Sequence, residues 1–316
     1  MLVAQYPIVT LTMNPAVDVA SAVDRIVPSH KLRCGDVRHD AGGGGINVAR
    51  AVHRLGGEVL AIFPSGGPQG DLLERLVEAE KVPYLGIPVA DDTREDFAVT
   101  ETTTKLQYRF VLPGPKLTDL EYRTCLESLK ANIAEARFVV ASGSLPPGAP
   151  PDFYAKVARI VAGAGAEFVL DTSGPALKLA LCEEVSLIKP SLREIGELAG
   201  EQLSGPTSCL AAARRIITET GVRRVAVSLG ENGALLVGTD MALRANAPNI
   251  EEVSSIGAGD SFLAALIWAF AQNWTPHDAL QHAVAAGSAA LLAPGTGLFC
   301  LEDVARLKRQ IAVVNL

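Results

Sequence analysis

Apolar residues follow two rhythms along this chain. Short runs rich in β-branched residues read as buried strands of a parallel sheet: Ile8–Met13, Val59–Phe63, Phe138–Ala141, Phe168–Asp171, Leu187–Lys189, Arg224–Leu229 and Ala234–Val237. Segments with helical spacing alternate with them: Ile46–Leu55, Leu72–Glu80, Glu121–Ala134, Phe153–Ala162, Cys209–Thr220, Ala258–Phe270, Asp278–Leu292 and Val304–Ile311. This alternation predicts an α/β fold, a doubly wound and mostly parallel sheet with helices on both faces. Two stretches, roughly 17–39 and 93–112, break the rhythm. The second alternates like a strand in Phe97-Ala-Val-Thr-Glu-Thr and Leu106-Gln-Tyr-Arg-Phe-Val-Leu. Together they are expected to form a small β-sheet lid inserted into a single domain spanning 1–316. No repeat, low-complexity segment or linker interrupts the chain.

Composition narrows the function. A chain of 316 residues that is 48% hydrophobic can bury a large core. Its net charge of -7, without a basic run, disfavours nucleic acid and anionic membranes as partners. The five cysteines are scattered with no CxxC pair, and the five histidines show no ligand spacing. Structural zinc and a disulfide framework are therefore not expected. No apolar run is long enough to span a bilayer, and the N-terminus lacks a basic n-region, so a cytoplasmic protein is expected.

The stretch Ser255-Ile-Gly-Ala-Gly-Asp260 carries the most chemistry. It runs into an apolar helical pattern, so Gly257 to Asp260 would form a first helical turn. Free N–H groups and the positive end of the dipole would face whatever lies in front. Small residues admit a phosphate to the backbone. A carboxylate there repels an anion unless it takes a proton from an attacking hydroxyl. The plain alternative is a glycine turn with an acidic helix cap.

Ala41-Gly-Gly-Gly-Gly-Ile-Asn-Val-Ala-Arg50 is a second candidate. Four glycines could be a linker, but they lead directly into a helix bearing Asn47 and Arg50. They suit a backbone surface for a polyhydroxylated ligand, with Asn47 reading a hydroxyl. They lie too far from the first strand for a dinucleotide fingerprint. Ser142-Gly-Ser-Leu-Pro-Pro-Gly148 follows a strand at the ligand-binding edge of such sheets, although a structural turn alone accounts for it. In Leu187-Ile-Lys-Pro-Ser-Leu-Arg-Glu194, Pro190 suits a helix start, and Glu194, one turn in, could organise a hydrated cation. A surface glutamate is the plain reading. Val227-Ser-Leu-Gly-Glu-Asn-Gly-Ala234 offers a glycine turn for a nucleotide. P-loop and protein-kinase motifs are absent.

These five motifs, in this order from about Ile8 to Leu307, resemble the ribokinase-like (phosphofructokinase B) family of sugar kinases. His30-Lys-Leu-Arg-Cys34, Gln107-Tyr-Arg-Phe-Val-Leu-Pro-Gly114 and Val284-Ala-Ala-Gly-Ser-Ala-Ala290 are similar to the branch acting on fructose 6-phosphate. Relatives acting on fructose 1-phosphate or tagatose 6-phosphate usually carry a lysine where this chain has Gly44. The resemblance implies an ATP-dependent sugar-phosphate kinase making fructose 1,6-bisphosphate. Asp260 would be the base, with Gly257, Ala258 and Gly259 as the anion hole. Asp18, Gly43, Gly44 and Asn47 would hold sugar hydroxyls. Lys31, Arg33, Arg94 and Arg109 would meet the sugar phosphate. Lys189, Ser228 and Gly230 would serve the nucleotide, and Glu194 its magnesium. Paired lids imply a homodimer. Alternatives are tagatose-6-phosphate or fructose-1-phosphate kinase, an unphosphorylated acceptor, or a sensor that lost turnover. Two departures stand out. Ser191 replaces the asparagine of the family's N-x-x-E, and Ala293-Pro-Gly-Thr-Gly297 is less polar than the usual potassium loop.

Overall fold

The computed structural model describes residues 6–293, 295 and 297–316. Its strands are β1 (Ile8–Leu11), β2 (Ala16–Val23), β3 (Arg38–Gly42), β4 (Val59–Ser65), β5 (Tyr84–Pro88), β6 (Arg94–Glu101), β7 (Gln107–Val111), β8 (Phe138–Ser142), β9 (Glu167–Asp171), β10 (Leu187–Ile188), β11 (Arg224–Ser228), β12 (Ala234–Gly238), β13 (Ala242–Ala245) and β14 (Val313–Asn315). Among the described residues, ten strands form one sheet in the order β14-β13-β12-β11-β10-β9-β8-β1-β4-β5. From β11 to β5 all neighbours run parallel.

Side-chain alternation explains why both faces are covered. Ile8, Val59, Ala61, Phe63, Phe138 and Val140 enter one apolar cluster, while Val9, Leu11, Leu60, Ile62, Val139 and Ala141 enter the other. The first cluster contains the helices Gly44–Arg54, Ala258–Ala271 and Pro276–Ala290. Ala258–Ala271 is apolar nearly all round because neighbouring helices enclose it.

The run Ala234–Val237, expected to be parallel, is antiparallel to β11 and β13. Only Leu229–Gly233 separates β11 from β12, far short of a parallel crossover. The edge strands β5 and β14, and β13 beside β14, carry weak signals. Tyr84-Leu-Gly-Ile-Pro88 contains glycine and proline, and β14 has three residues.

The two arrhythmic stretches supply a separate four-stranded sheet, ordered β3-β2-β6-β7. Asp18 lies level with Asp40 on β3 and Asp96 on β6, so three carboxylates share one face. On the opposite face Phe97 pairs with Phe110, and both are exposed.

Candidate active site

Thr12, Ser142, Asp171, Lys189 and Ser228 end or follow parallel strands on one edge of the large sheet, where open α/β sheets bind ligands. The helix Ala258–Ala271 starts against this edge. Gly257 precedes it rather than forming part of its first turn. Gly257 is the N-cap, in the left-handed region at φ 77, with no side chain capping the helix. Glycine is required there because other residues rarely adopt that backbone. Gly259 is close-packed for a different reason. A Cβ on it would sit 3.3 Å from Lys189 Nζ. A buried ammonium, paired with Asp171, therefore stands beside the open N–H groups of the helix start.

Asp260 is half-buried in that first turn and accepts a hydrogen bond from Asn47 Nδ2 at 2.9 Å. Burial, and then the nearby Asp171, raise its carboxyl to about 6, against the pull of Asn47, Lys189 and Arg109. Such a group is ionised at neutral pH yet basic enough to take a proton. Lys189 Nζ lies 3.2 Å from Asp171 Oδ1. Burial would depress this lysine, but Asp171 and then Asp260 hold it above the ordinary lysine range. Ser142 Oγ donates to Asp171 Oδ2 at 3.2 Å.

On the far side of Gly259 is a cavity of about 720 Å³ lined by Ser228, Gly230, Ala258, Gly259, Phe262 and Ser288. That volume suits a nucleotide. Glu194 lies in the first turn of Leu192–Ala199, in a reciprocal capping box with Ser191. Its Oε2 accepts from Ser191 N at 2.9 Å and Ser191 Oγ at 2.8 Å. The serine thus fixes Glu194, leaving Oε1 uncommitted apart from Arg193 at 3.9 Å.

Toward the small sheet is a narrow crevice of only about 10 Å³, lined by Asp18, Asp96, Arg109, Ile256 and Gly295. Burial, and then Asp96, raise Asp18 to about 7, while Arg109, Arg50 and Arg94 oppose the rise. Arg94 is committed locally. It donates to Asp96 Oδ1 at 3.1 Å, Leu112 O at 3.0 Å and Asn14 O at 3.2 Å. Arg109 makes no ion pair or hydrogen bond among the described residues. Lys31 and Arg33 lie exposed on the irregular segment between β2 and β3, outside both clefts. Gly43 adopts φ 107, and a Cβ there would meet Thr12 Cγ2 at 2.8 Å. A Cβ on Gly44 would collide with Ser142 Oγ. This face of the glycine cluster is packed against the sheet edge. The potassium-loop stretch falls partly outside the described residues, at Pro294 and Thr296.

Residues 6–303 match the profile of the pfkB family carbohydrate kinases. The chain belongs to that family. The pfkB-type relatives are close. ATP-dependent 6-phosphofructokinase isozyme 2 of Mycobacterium tuberculosis is 46% identical over 299 residues, covering 95% of this chain and 88% of that protein. The isozyme 2 enzyme of Escherichia coli K12 is 38% identical over 301 residues, covering 95% and 97%. The crystal structure of phosphofructokinase-2 from Escherichia coli in complex with potassium superposes with a TM-score of 0.92 at 36% identity, covering 97% of this chain and 99% of that one. The ribokinase-like fold and the phosphotransferase class of this pfkB enzyme follow.

Sequence reasoning misses Asp171 and leaves Ser142 and Arg50 inside their motifs without an assigned partner. Asp171 ends a buried strand, and a charge at that position is its only signal. Ser142 reads as part of a turn. Arg50 reads as a helix residue, yet it is fully buried.

Proposed function

We propose that this kinase transfers the γ-phosphoryl group of ATP to a hydroxyl of fructose 6-phosphate, forming ADP and fructose 1,6-bisphosphate. The observation that carries the reading is the helix start that leads into Asp260: Ala258 and Gly259 line the nucleotide-sized cavity, and Ile256, just before them, lines the Asp18–Arg109 crevice. Asp260 takes the proton as the sugar oxygen bonds to phosphorus and the bond to the ADP oxygen breaks. Gly257, Ala258, Gly259 and Lys189 receive the charge spread over the transferring group. Asp18 and Asn47, with the Gly43–Gly44 backbone, hold sugar hydroxyls. Arg109, with Arg94 near it, supplies positive charge that a sugar phosphate needs, and Lys31 and Arg33, outside both clefts of one protomer, would reach it only from a second copy.

Among the described residues no cluster of three or more His, Cys, Asp or Glu could cage a metal. This fits Mg²⁺ that arrives on ATP, held mainly by phosphates and water. Bound there, Mg²⁺ neutralises phosphate charge, and Glu194 Oε1 is the carboxylate oxygen available to its water shell.

A coupled ADP-release assay over sugars and sugar phosphates tests the reading. Fructose 6-phosphate should exceed fructose in kcat/KM by at least about ten-fold, the worth of one charge-assisted hydrogen bond to phosphate. EDTA should abolish turnover. Equal kcat/KM for fructose and fructose 6-phosphate would overturn the acceptor, and tagatose 6-phosphate or fructose 1-phosphate in first place would reassign it. Running the assay with and without KCl tests the monovalent-cation role of the Ala293–Gly297 loop.

The small sheet acts as a lid in this reading, and a second copy covers its apolar face. Phe97, Tyr108 and Phe110 are 36%, 37% and 55% exposed on a sheet otherwise rich in charge. Contiguous exposed aromatics of this kind mark an interaction surface. Phe110→Asp is expected to halve the mass measured by light scattering. A parent enzyme that is already monomeric at micromolar concentration rules the dimer out.

A further inference from the structure

We propose that Glu80, on the surface beyond the substrate clefts, is a positioning residue that holds the Asn47 amide in the orientation Asp260 requires. The inference rests on the reading of Asp260 as the base. Glu80 is the C-cap of the helix Gly67–Ala79, and its side chain is 30% exposed. Its Oε1 accepts from Arg50 Nε at 2.7 Å and lies 2.6 Å from Arg50 Nη2. The Arg50 side chain is 1% exposed, and Glu80 is its only carboxylate partner among the described residues. The third nitrogen, Nη1, donates to Ala41 O at 2.7 Å and Asn47 Oδ1 at 3.0 Å. Asn47 Nδ2 in turn donates to Asp260 Oδ2 at 2.9 Å.

The direction of this relay follows from donor and acceptor chemistry. A guanidinium has only donors, so the Asn47 oxygen must face Arg50. The amide NH₂ must then face Asp260. A flipped amide would set its NH₂ against the guanidinium and its oxygen against the carboxylate, two repulsive contacts. Buried Arg50 therefore selects the amide orientation that favours ionised Asp260. Glu80 fixes Arg50 through two of its nitrogens and compensates its charge, since a buried unpaired cation is costly. Glu80 Oε2 also accepts from Arg54 at 3.3 Å, and Arg54 Nη1 donates to Gly297 O and Phe299 O. Leu298, between them, lies against Gly257. One carboxylate thus anchors both sides of the helix start.

Other charges around Asp260 set the background for a test. Asp171 opposes its ionisation, while Lys189 and Arg109 favour it. None of these is altered by Glu80→Gln, which keeps the shape and removes the charge. In the full-length enzyme at saturating substrates, Glu80→Gln is expected to move the acid limb of kcat upward by about one pH unit. This appears as about a ten-fold lower kcat on the acid side and near-parental kcat at pH 8.5, with KM for ATP unchanged. The shift should vanish in an Asn47→Ala background, because the effect passes through that amide. Glu80→Asp, which keeps the charge, should restore much of the parental profile. An unchanged kcat–pH profile in Glu80→Gln, with or without a lower melting temperature, overturns the relay. So does a shift that persists without the Asn47 amide. If Asp260→Asn is dead while Glu80→Gln behaves as the parent, only the relay falls. If Asp260→Asn turns over normally, the base assignment falls first.

Discussion

Asp260→Asn is expected to lower kcat by about 10²–10⁴-fold, the usual worth of general-base assistance, while leaving nucleotide affinity nearly unchanged. A sugar hydroxyl is too weak an acid to attack phosphorus with its proton in place. Asparagine keeps the size of the side chain and its place in the first helical turn but cannot take that proton. The anion hole survives, because Gly257, Ala258 and Gly259 contribute backbone and Lys189 retains Asp171 as partner. The parental enzyme should lose kcat as pH falls through about 6, where Asp260 becomes protonated.

Stability separates this loss from unfolding. The Asp260 carboxyl rises from an ordinary 3.8 to about 6 in the fold. A carboxyl raised in the native state binds protons more tightly folded than unfolded. Its effect is to reduce stability as pH climbs from about 4 to about 6, and the deficit persists above that window. Asparagine carries no such deficit. The variant should melt at pH 8 no lower than the parent, and a variant that melts equally but keeps near-parental kcat would return Asp260 to the role of helix cap.

The legible parts of this protein were those whose chemistry is contiguous. Gly257 to Asp260 join small residues and a carboxylate within four positions, so an anion hole with a base can be read from the string. The second arrhythmic stretch was legible as strand because it alternates with period two, and the first was placed beside it because it too lacks helical spacing. Asp171 was opaque, and so were the partners of Ser142 and Arg50, because topology assembles them. Asp171 and Lys189 sit at the ends of β9 and β10, adjacent only through strand pairing. Ser142 reaches Asp171 from β8, the neighbour on the other side. Glu80 reaches Asp260 only through two side chains, Arg50 and Asn47, on a third helix. The antiparallel turn at β12 was missed because a buried apolar strand looks the same in either direction, and only the five-residue connection betrays it. The glycine cluster shows a further limit. Composition suggested a surface for sugar, and the coordinates add that a Cβ on Gly44 is excluded by Ser142, so one residue answers two demands.

Arg109→Ala is expected to raise KM for fructose 6-phosphate by about 10- to 150-fold, the cost of a lost charge-assisted hydrogen bond of about 1.5–3 kcal/mol. Arg94 and Arg109 are both near the acceptor cleft, but they are not equally available. Arg94 spends its terminal nitrogens on Asp96, Leu112 O and Asn14 O, so its first duty is to tie the small sheet to the segment after β1. Arg109 lines the cleft with its guanidinium uncommitted among the described residues. A phosphate dianion entering beside Asp18 and Asp96 needs such a cation to offset the carboxylates. The pH of the assay decides whether the result is clean. Arg109 also favours the ionised forms of Asp18, near 7, and Asp260, near 6. Its removal lets both rise, which would depress rates near neutrality for a reason unrelated to phosphate. At pH 8.5 both carboxylates stay ionised, and the remaining effect reports on the sugar phosphate. There, KM for ATP should be unchanged, and the preference for fructose 6-phosphate over fructose should fall by the same factor as KM rises. A preference that is unchanged in Arg109→Ala would show that Arg109 does not meet the phosphate, and would pass that role to Arg94 or to Lys31 and Arg33.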